Sequence, residues 1–192
     1  MFWESAQPLE VRCGAACDLD GARRWHRWVA SEWGPCGLVA MEGEHILGFI
    51  KYAPPEYLRQ VGNLHGALDE RRSVLIACMH IQDEARHRGL GTLLLRAALK
   101  DLVSRGEKTV YAYATTQEAD ISAQPMIGLD FLQRNGFTIV VPHPQYPLLR
   151  LELKTLVSLT ENLESMLQAL RIPLRRNMRM PSPSIESRGD GR

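Results

Sequence analysis

The chain has 192 residues with 23 basic and 22 acidic side chains, which gives a formal net charge of only +1. This balance argues against a generic nucleic-acid-binding protein, which usually carries a marked basic excess. The 45% of hydrophobic residues is enough to build a core, and the length fits one domain. Residues 171–192 hold six arginines and two acidic residues, a net of +4, which leaves −3 for residues 1–170. We therefore expect a mildly acidic domain followed by a basic tail.

The sequence holds no segment typical of a membrane span or a secretion signal. Its longest apolar run, residues 74–79, is far short of the roughly 18 residues needed to cross a bilayer. Residues 1–5 lack the basic start and apolar stretch of a signal peptide. We therefore expect a cytoplasmic protein with no membrane partner, whose cysteines remain thiols. The cysteine spacing matches no Cys-x-x-Cys pair, so we predict no metal site at Cys13, Cys17, Cys36 and Cys78.

Hydrophobic periodicity predicts a helix, a hairpin and a long loop in the first half of the chain. Two apolar runs flank a Glu-Gly-Glu turn, which is a hairpin signal. The loop that follows is long for a compact domain, and loops of this kind are often functional. The predicted elements are a strand at 9–13, a helix from Asp18 to Trp33, strands at 36–41 and 45–52, and a loop at 53–73 with one helical turn at 56–60.

Strands and helices alternate in the second half of the chain. Residues 73–81 are almost continuously apolar, as expected for a strand covered on both faces. The elements that follow are a helix at 89–105, a strand at 108–115, a helix at 126–135, strands at 137–141 and 148–154, and an amphipathic helix at 158–170. We therefore expect an α/β fold with a domain at 1–155, a C-terminal helix at 156–172 and a disordered basic tail at 173–192.

A basic, glycine-rich turn joins the strand at 73–81 to the helix at 89–105. It contains Arg86, Arg88, Gly89 and Gly91. A helix N-terminus presents unpaired N–H groups and a positive dipole end, and glycines let the backbone approach an anion closely. Strand, turn and helix in this order predict a phosphate cradle. The cradle is not a P-loop, and Leu94 stands where a dinucleotide fingerprint needs its third glycine.

The order Arg86-x-x-Gly89-x-Gly91 after an apolar strand resembles the acetyl-CoA-binding signature of the GNAT acyltransferase superfamily. Residues 131–137 also resemble the late helix of that family, which ends in Gly-Phe before a strand. The likeness covers about residues 9–154, and shorter patches are similar to an uncharacterised bacterial GNAT subgroup. The resemblance implies a mixed, mostly antiparallel central sheet of about six to seven strands, with splayed central strands and flanking helices.

The resemblance also implies how acetyl-CoA is bound. The pantetheine would lie between the splayed strands, and a backbone N–H near Met79 would stabilise the thioester oxygen. The pyrophosphate would contact N–H groups at the start of the helix, with arginines adding positive charge. The matching residues for the cofactor are Met79, His80, Ile81, Arg86, His87, Arg88, Gly89, Leu90, Gly91 and Thr92.

The catalytic side chains depart from the family pattern. The positions of its common tyrosine, asparagine and glutamate are Leu132, Pro125 and Leu75 here. His80 lies in the cofactor strand and is a candidate base, because histidine is the side chain most often used for base catalysis near neutral pH, although a core histidine fits the strand equally well. Tyr111 and Tyr113 are further candidates for proton transfer, with aromatic packing as the alternative. Glu118 and Asp120 could receive a cationic amine or belong to a solvated loop.

Three functions are compatible with these residues. The first is an N-acetyltransferase that moves an acetyl group from acetyl-CoA to a primary amine of a small molecule or peptide. The second is a non-catalytic acyl-CoA-binding sensor or partner module, suggested by the missing tyrosine, asparagine and glutamate. The third is a structural protein that binds another phosphate ligand. The helix at 158–170 has an apolar face suited to packing on the domain or on a second copy in a homodimer.

Overall fold

A computed structural model describes residues 3, 19–68, 72–116, 126–154 and 174–175. Its helices are α1 (Leu19–Glu32), α2 (Leu90–Ser104) and α3 (Leu129–Arg134). Its strands are β1 (Gly37–Glu42), β2 (His45–Ala53), β3 (Ser73–Ile81), β4 (Thr109–Thr115), β5 (Ile127–Gly128), β6 (Thr138–Val141), β7 (Leu148–Glu152) and β8 (Leu174–Arg175). Short 3-10 turns lie at Pro55–Tyr57, Arg59–Asn63 and Asp83–Ala85. No helix among these residues is both long and apolar enough to cross a membrane.

The strands form one mixed sheet in the order β6-β7-β4-β3-β2-β1-β8, and β5 pairs with β4 beside this path. Only the pairs β3–β4 and β4–β5 are parallel, and every other pair among the described strands is antiparallel. The seven strands of the main path confirm the predicted mostly antiparallel sheet. The parallel pair β3–β4 requires a crossover, which α2 supplies between the two strands.

The two faces of the sheet carry separate apolar clusters. On the α2 face, Leu93 and Leu94 of that helix pack against Ile50 and Ile76 of the strands. On the α1 face, Trp25 of that helix belongs to a cluster with Leu75, Ala77, Tyr111 and Tyr113. Successive residues of a strand point to opposite faces, which explains how one strand feeds both clusters. Because both faces of β3 are covered along Ser73–Cys78, its sequence reads as an apolar run.

The predicted helix at 126–135 is wrong at its start. Ile127 and Gly128 form β5, which runs parallel to β4 in register with Ala114 and Thr115. The pairing gives this backbone sheet partners and buries Ile127, so the extended form is favoured there, and α3 begins only at Leu129. The sequence pattern carries no signal for this pairing, because β4 and β5 are distant in the chain.

Several predicted segments lie outside the described residues, among them the strand at 9–13, the helix at 158–170, Cys13 and Cys17. Within the tail predicted to be disordered, Leu174–Arg175 instead form β8, antiparallel to β1. The boundaries at 155 and 172 stay predictions. Cys36 and Cys78 are both buried, and both are thiols rather than members of a disulfide.

A charged network is buried where α2 crosses the sheet. The Tyr52 hydroxyl donates a hydrogen bond of 2.8 Å to Asp101, which also forms an ion pair of 2.5 Å with Arg105. The Arg105 guanidinium lies 4.6 Å from the centre of the Trp33 ring. Burial, followed by the charge of Asp101, raises the pKa of Tyr52 well above its ordinary value. The phenol therefore stays protonated and remains a donor to Asp101.

Candidate functional site

A gap opens in the middle of the sheet between β3 and β4. The two strands pair only from Ser73 to Ile76 on β3, although β3 continues to Ile81. Ala77 is an extra residue against β2, because Lys51 pairs with Cys78 and the next residue, Tyr52, pairs with Ile76. A bulge of this kind bends its strand and increases the local twist. Beyond the bulge, β4 pairs with β5 instead of β3.

Backbone N–H groups of β3 point into this gap. Gln82 donates its N–H to the Leu47 carbonyl on the β2 side, at 2.9 Å. N–H groups alternate in direction along a strand, so His80 also points its N–H toward β2. Met79 and Ile81 therefore direct their N–H groups into the gap. These are the groups that a strand-like ligand, such as an extended chain of amides, could bind.

The loop from β3 to α2 leaves helix N–H groups open to an anion. The first bond within the helix runs from Leu93 N–H to the Gly89 carbonyl, at 3.0 Å. By helix geometry, the N–H groups of Leu90, Gly91 and Thr92 have no carbonyl four residues earlier within the helix. Gly89 adopts φ 81°, in the left-handed region that favours glycine. This conformation lets the chain turn from the loop into the first turn of α2. The cradle predicted from the sequence therefore has the geometry of an anion site.

A second concavity lies beside this cradle, between the β1–β2 hairpin and the loop, with a volume of about 590 Å³. Glu42, Glu44 and Glu84 line it together with Arg88. Three carboxylates against one guanidinium repel a phosphate. Leu90, the first residue of α2, also lines the cavity, so the carboxylates lie on the side of the cavity away from the helix or beside its first turn, and the N–H groups of that turn are the part suited to an anion.

Comparison with known proteins identifies the family of the chain. The model of the Acetyltransferase (GNAT) family matches residues 3–137. The chain belongs to the GNAT acetyltransferase family. None of the curated proteins compared with the chain matches it.

Solved GNAT structures share the fold at low sequence identity. An acetyltransferase from Salmonella typhimurium, solved with its cofactor acetyl-CoA, superposes with a TM-score of 0.52 and 18% identity over 71% of this chain and 75% of the other. An N-acetyltransferase from Staphylococcus aureus Mu50 gives a TM-score of 0.50 and 13% identity over 76% and 85%. At these identities, the structural likeness supports the fold alone.

The two arginines of the loop before α2 have different contacts. Arg86 donates from Nε to the Ile81 carbonyl at 3.1 Å and forms an ion pair of 3.1 Å with Asp83. Arg86 therefore closes the turn after β3, a role that the sequence pattern did not reveal. Arg88 is exposed and also lines the neighbouring cavity. Of the two, Arg88 has the greater freedom to contact a bound phosphate.

The three candidates for proton transfer lie at different depths on the α1 face. His80 is exposed, and its ring lies 5.9 Å from that of Phe49. Tyr111 is buried in the paired part of the sheet, opposite Leu75. Tyr113 is the first residue of β4 past the pairing with β3, and its hydroxyl donates to the His65 carbonyl at 2.8 Å. Only His80 combines exposure with a position beside the gap.

The family's usual protic positions lie in the core of this GNAT protein. Leu132 on α3 and Leu75 on β3 are both 0% exposed, in opposite clusters of the sheet. Pro125 lies outside the described residues. A leucine side chain carries no proton that it could donate or accept. Any acid or base in catalysis therefore comes from another element or from water.

Rings from two loops border the gap on the α1 face. His143 stacks on His65 with centroids 4.2 Å apart, and the His65 ring meets the edge of Tyr113. The N–H groups of Gln145 and Tyr146 both donate to Nδ1 of His143, which fixes the orientation of its ring. Nothing in the sequence indicated that His65 would contact Tyr113 and His143, because a single histidine within a loop carries no recognisable pattern.

Replacing Tyr113 with phenylalanine is expected to reduce the loss of stability at alkaline pH. Burial raises the pKa of Tyr113 from 10.0 to about 12, so the unfolded chain releases this proton first and the wild type loses stability as the pH rises through that window. The phenylalanine variant lacks the ionisable hydroxyl. The urea midpoint of Tyr113→Phe should therefore fall less steeply above pH 10 than that of the wild type. Equal slopes for the two proteins would contradict the assignment.

Proposed function

We propose that the protein transfers an acetyl group from acetyl-CoA to a primary amine of a small molecule or peptide. The observation that carries this proposal is the continuity of the gap and the cradle. One strand, β3, directs the N–H groups of Met79 and Ile81 into the gap and then leads within nine residues to the open start of α2. An extended amide chain joined to a pyrophosphate fits such an arrangement, and family membership supports the choice of CoA.

The residues around the gap fit this cofactor. The pantetheine amides would bond the backbone of Met79, His80 and Ile81, as an added strand does. The pyrophosphate would accept N–H groups from the segment from His87 to Thr92, close to the dipole of α2 and to Arg88. The left-handed conformation of Gly89 and the absence of a side chain at Gly91 leave the backbone open to this contact.

The reaction that we propose is direct attack by the amine. The nitrogen forms a bond to the acetyl carbon, and the thioester oxygen gains negative charge in a tetrahedral intermediate. In this proposal the Met79 N–H would stabilise that oxygen. The C–S bond then breaks, the thiolate leaves, and the proton lost by the amine balances the charge on the thiolate. No covalent bond to the protein is required.

We propose His80 as the residue that accepts the proton, directly or through a water molecule. Its ring is exposed at the mouth of the gap on the α1 face, while the Tyr113 proton is engaged by the His65 carbonyl. A histidine base supplies about a hundredfold to ten-thousandfold in rate. Tyr111 and Tyr113 are the alternatives, although their burial favours a packing role.

The His80→Gln variant is expected to lower kcat by at least about a hundredfold while CoA affinity stays within about twofold. The cofactor contacts assigned to His80 use its backbone, which the substitution preserves. His45→Gln, at the start of β2, is the matched control and should retain full activity. An unchanged kcat in His80→Gln would remove His80 from the mechanism and return attention to the tyrosines.

The proposed function itself is tested by incubating the protein with acetyl-CoA and a panel of primary amines while free thiol is measured. Amine-dependent thiol release with a matching N-acetylated product supports the enzyme. Tight CoA binding without release on any amine would instead support the non-catalytic acyl-CoA sensor, which the burial of Leu132 favours. Failure to bind CoA, with binding of another phosphate ligand, would leave only the anion-binding structural protein.

A further inference from the structure

The cavity between the β1–β2 hairpin and the loop before α2 has the features of a second binding site. Its volume of about 590 Å³ lies within the range of about 300–1,000 Å³ that is usual for small-molecule sites. Leu47, Ala85 and Leu90 form part of its wall, and Ile46 lines it with 39% of its surface exposed. The cavity therefore offers apolar surface to a ligand as well as charged side chains.

The charged side chains of this cavity are exposed and come from both of its sides. Glu42 and Glu44 belong to the hairpin, whereas Glu84 belongs to the 3-10 turn before α2. Within the part of the chain that the structure describes, neither these three carboxylates nor the Arg88 guanidinium forms an ion pair or a side-chain hydrogen bond. Three negative charges against one positive charge make the cavity suited to a cation.

The placement of the carboxylates indicates the shape of this cation. A ligand that pairs with carboxylates of both the hairpin and the turn carries two positive charges at separate positions. The apolar residues of the wall favour a hydrocarbon chain between these charges, because covering them removes apolar surface from water. Two ammonium groups joined by a methylene chain, as in a linear aliphatic diamine, combine both properties.

The cavity shares residues with the loop that we propose binds CoA. Arg88, the arginine proposed to contact a CoA phosphate, also lines the cavity, and Leu90 is the first residue of α2. The carboxylates of the cavity repel a phosphate at the start of this helix, and a bound dication reduces that repulsion. A phosphate that engages Arg88 also reduces the repulsion between this arginine and the dication. Each ligand should therefore increase the affinity for the other.

We propose that this cavity binds a linear aliphatic diamine, and that the bound diamine raises the affinity of the protein for CoA. One ammonium group would pair with Glu84 and the other with Glu42 or Glu44, while the methylene chain covers Ile46 and Leu90. The diamine site itself does not depend on acetyl transfer, whereas its effect on CoA rests on the proposed function. Such a site would increase the rate of acetyl transfer at low CoA concentration when diamines are abundant.

The first test is calorimetry of the CoA-free protein with 1,5-diaminopentane, pentylamine and magnesium chloride at low ionic strength. We expect the diamine to bind about fivefold more tightly than either comparison, because it alone combines two separated charges with an apolar chain. Glu44→Gln/Glu84→Gln should weaken diamine binding by about tenfold. The matched control is Glu32→Gln/Glu56→Gln, which removes the same net charge at exposed positions that do not line the cavity and should have less than about a twofold effect. Equal losses in the two double variants, or equal affinity for pentylamine or magnesium, overturn the proposal.

The second test measures CoA affinity with and without saturating 1,5-diaminopentane, and it uses CoA so that no acetyl group can be transferred. We expect CoA to bind about fivefold more tightly with the diamine, and potassium chloride at equal ionic strength should give no such gain. Glu44→Gln/Glu84→Gln should bind CoA more tightly without the diamine and gain little from it. Unchanged CoA affinity in the wild type overturns the coupling. Diamine binding without CoA binding overturns the proposed function and leaves the diamine site standing, whereas CoA binding without diamine binding does the reverse.

Discussion

The Gly91→Glu variant is expected to lose CoA binding while it keeps the fold. Gly91 is the second residue of α2, and a Cβ built there meets Met79 Cε and the Phe131 ring at 3.5 Å, which is ordinary contact. The side chain therefore points toward the Met79 side chain and the Phe131 ring, in the first turn of α2. A carboxylate in this turn would repel the phosphates that we propose to bind at the start of the helix. We expect at least about a hundredfold weaker binding, or about 2.7 kcal/mol, by titration calorimetry.

Gly91→Ala is the matched control for this prediction. Its methyl group makes contacts of ordinary length, so the melting temperature should change by only a few degrees and CoA should bind with a smaller loss. Gly89 is a poorer test, because its φ of 81° strains any other residue by about 1–2 kcal/mol whatever the ligand does. Unchanged CoA affinity in Gly91→Glu would show that the cradle is misassigned.

The Asp101→Ala variant is expected to lower the free energy of unfolding by about 3–5 kcal/mol. Asp101 is 5% exposed, accepts the Tyr52 hydroxyl and pairs with Arg105. Its removal leaves a guanidinium and a phenol without their acceptor in a buried site, which costs the full desolvation penalty. The loss is large beside the usual 5–15 kcal/mol of a domain, and urea unfolding at neutral pH measures it.

Two further variants show whether the Asp101 effect belongs to the network. Asp130→Ala removes an exposed carboxylate from the first turn of α3 and should cost less than about 1 kcal/mol. Tyr52→Phe alone should cost about 1–2 kcal/mol, but little more when Asp101 is already alanine, because the two groups act together. Additive losses, or a loss under 1 kcal/mol in Asp101→Ala, would contradict a coupled network.

Much of the fold follows from local sequence patterns. The apolar run at 73–81 predicted a strand with the bounds of β3, and the hairpin signal predicted β1 and β2 within one residue at each end. These predictions succeed because the hydrophobic periodicity follows which residues are buried, and the turn-forming residues mark where strands end. The start of α3 was predicted wrongly, because the partner of Ile127 is Ala114 on β4 and no local pattern records that contact.

The candidate site could likewise be predicted only in part from the sequence. The turn and helix of the proposed cradle could be predicted from the sequence because they are made by consecutive residues: Arg86 donates to the Ile81 carbonyl, and Leu93 donates to the Gly89 carbonyl. The two arginines looked equivalent in the sequence, whereas the structure uses Arg86 to close the turn. The burial of Tyr113 and the stack of His65 on His143 depend on loops that approach one another only in the fold.

The amino-acid sequence by itself determined the strand, loop and helix at which we propose that an anion binds, because short-range hydrogen bonds and helix geometry build them. It also determined that the body is mildly acidic and that the cradle is a local basic feature within it. The tertiary structure alone decided where β3 leaves β4, since Ser73 pairs with Thr109 and the bulge forms against β2. Those long-range pairings open the gap beside Met79, His80 and Ile81, which no local sequence pattern could reveal.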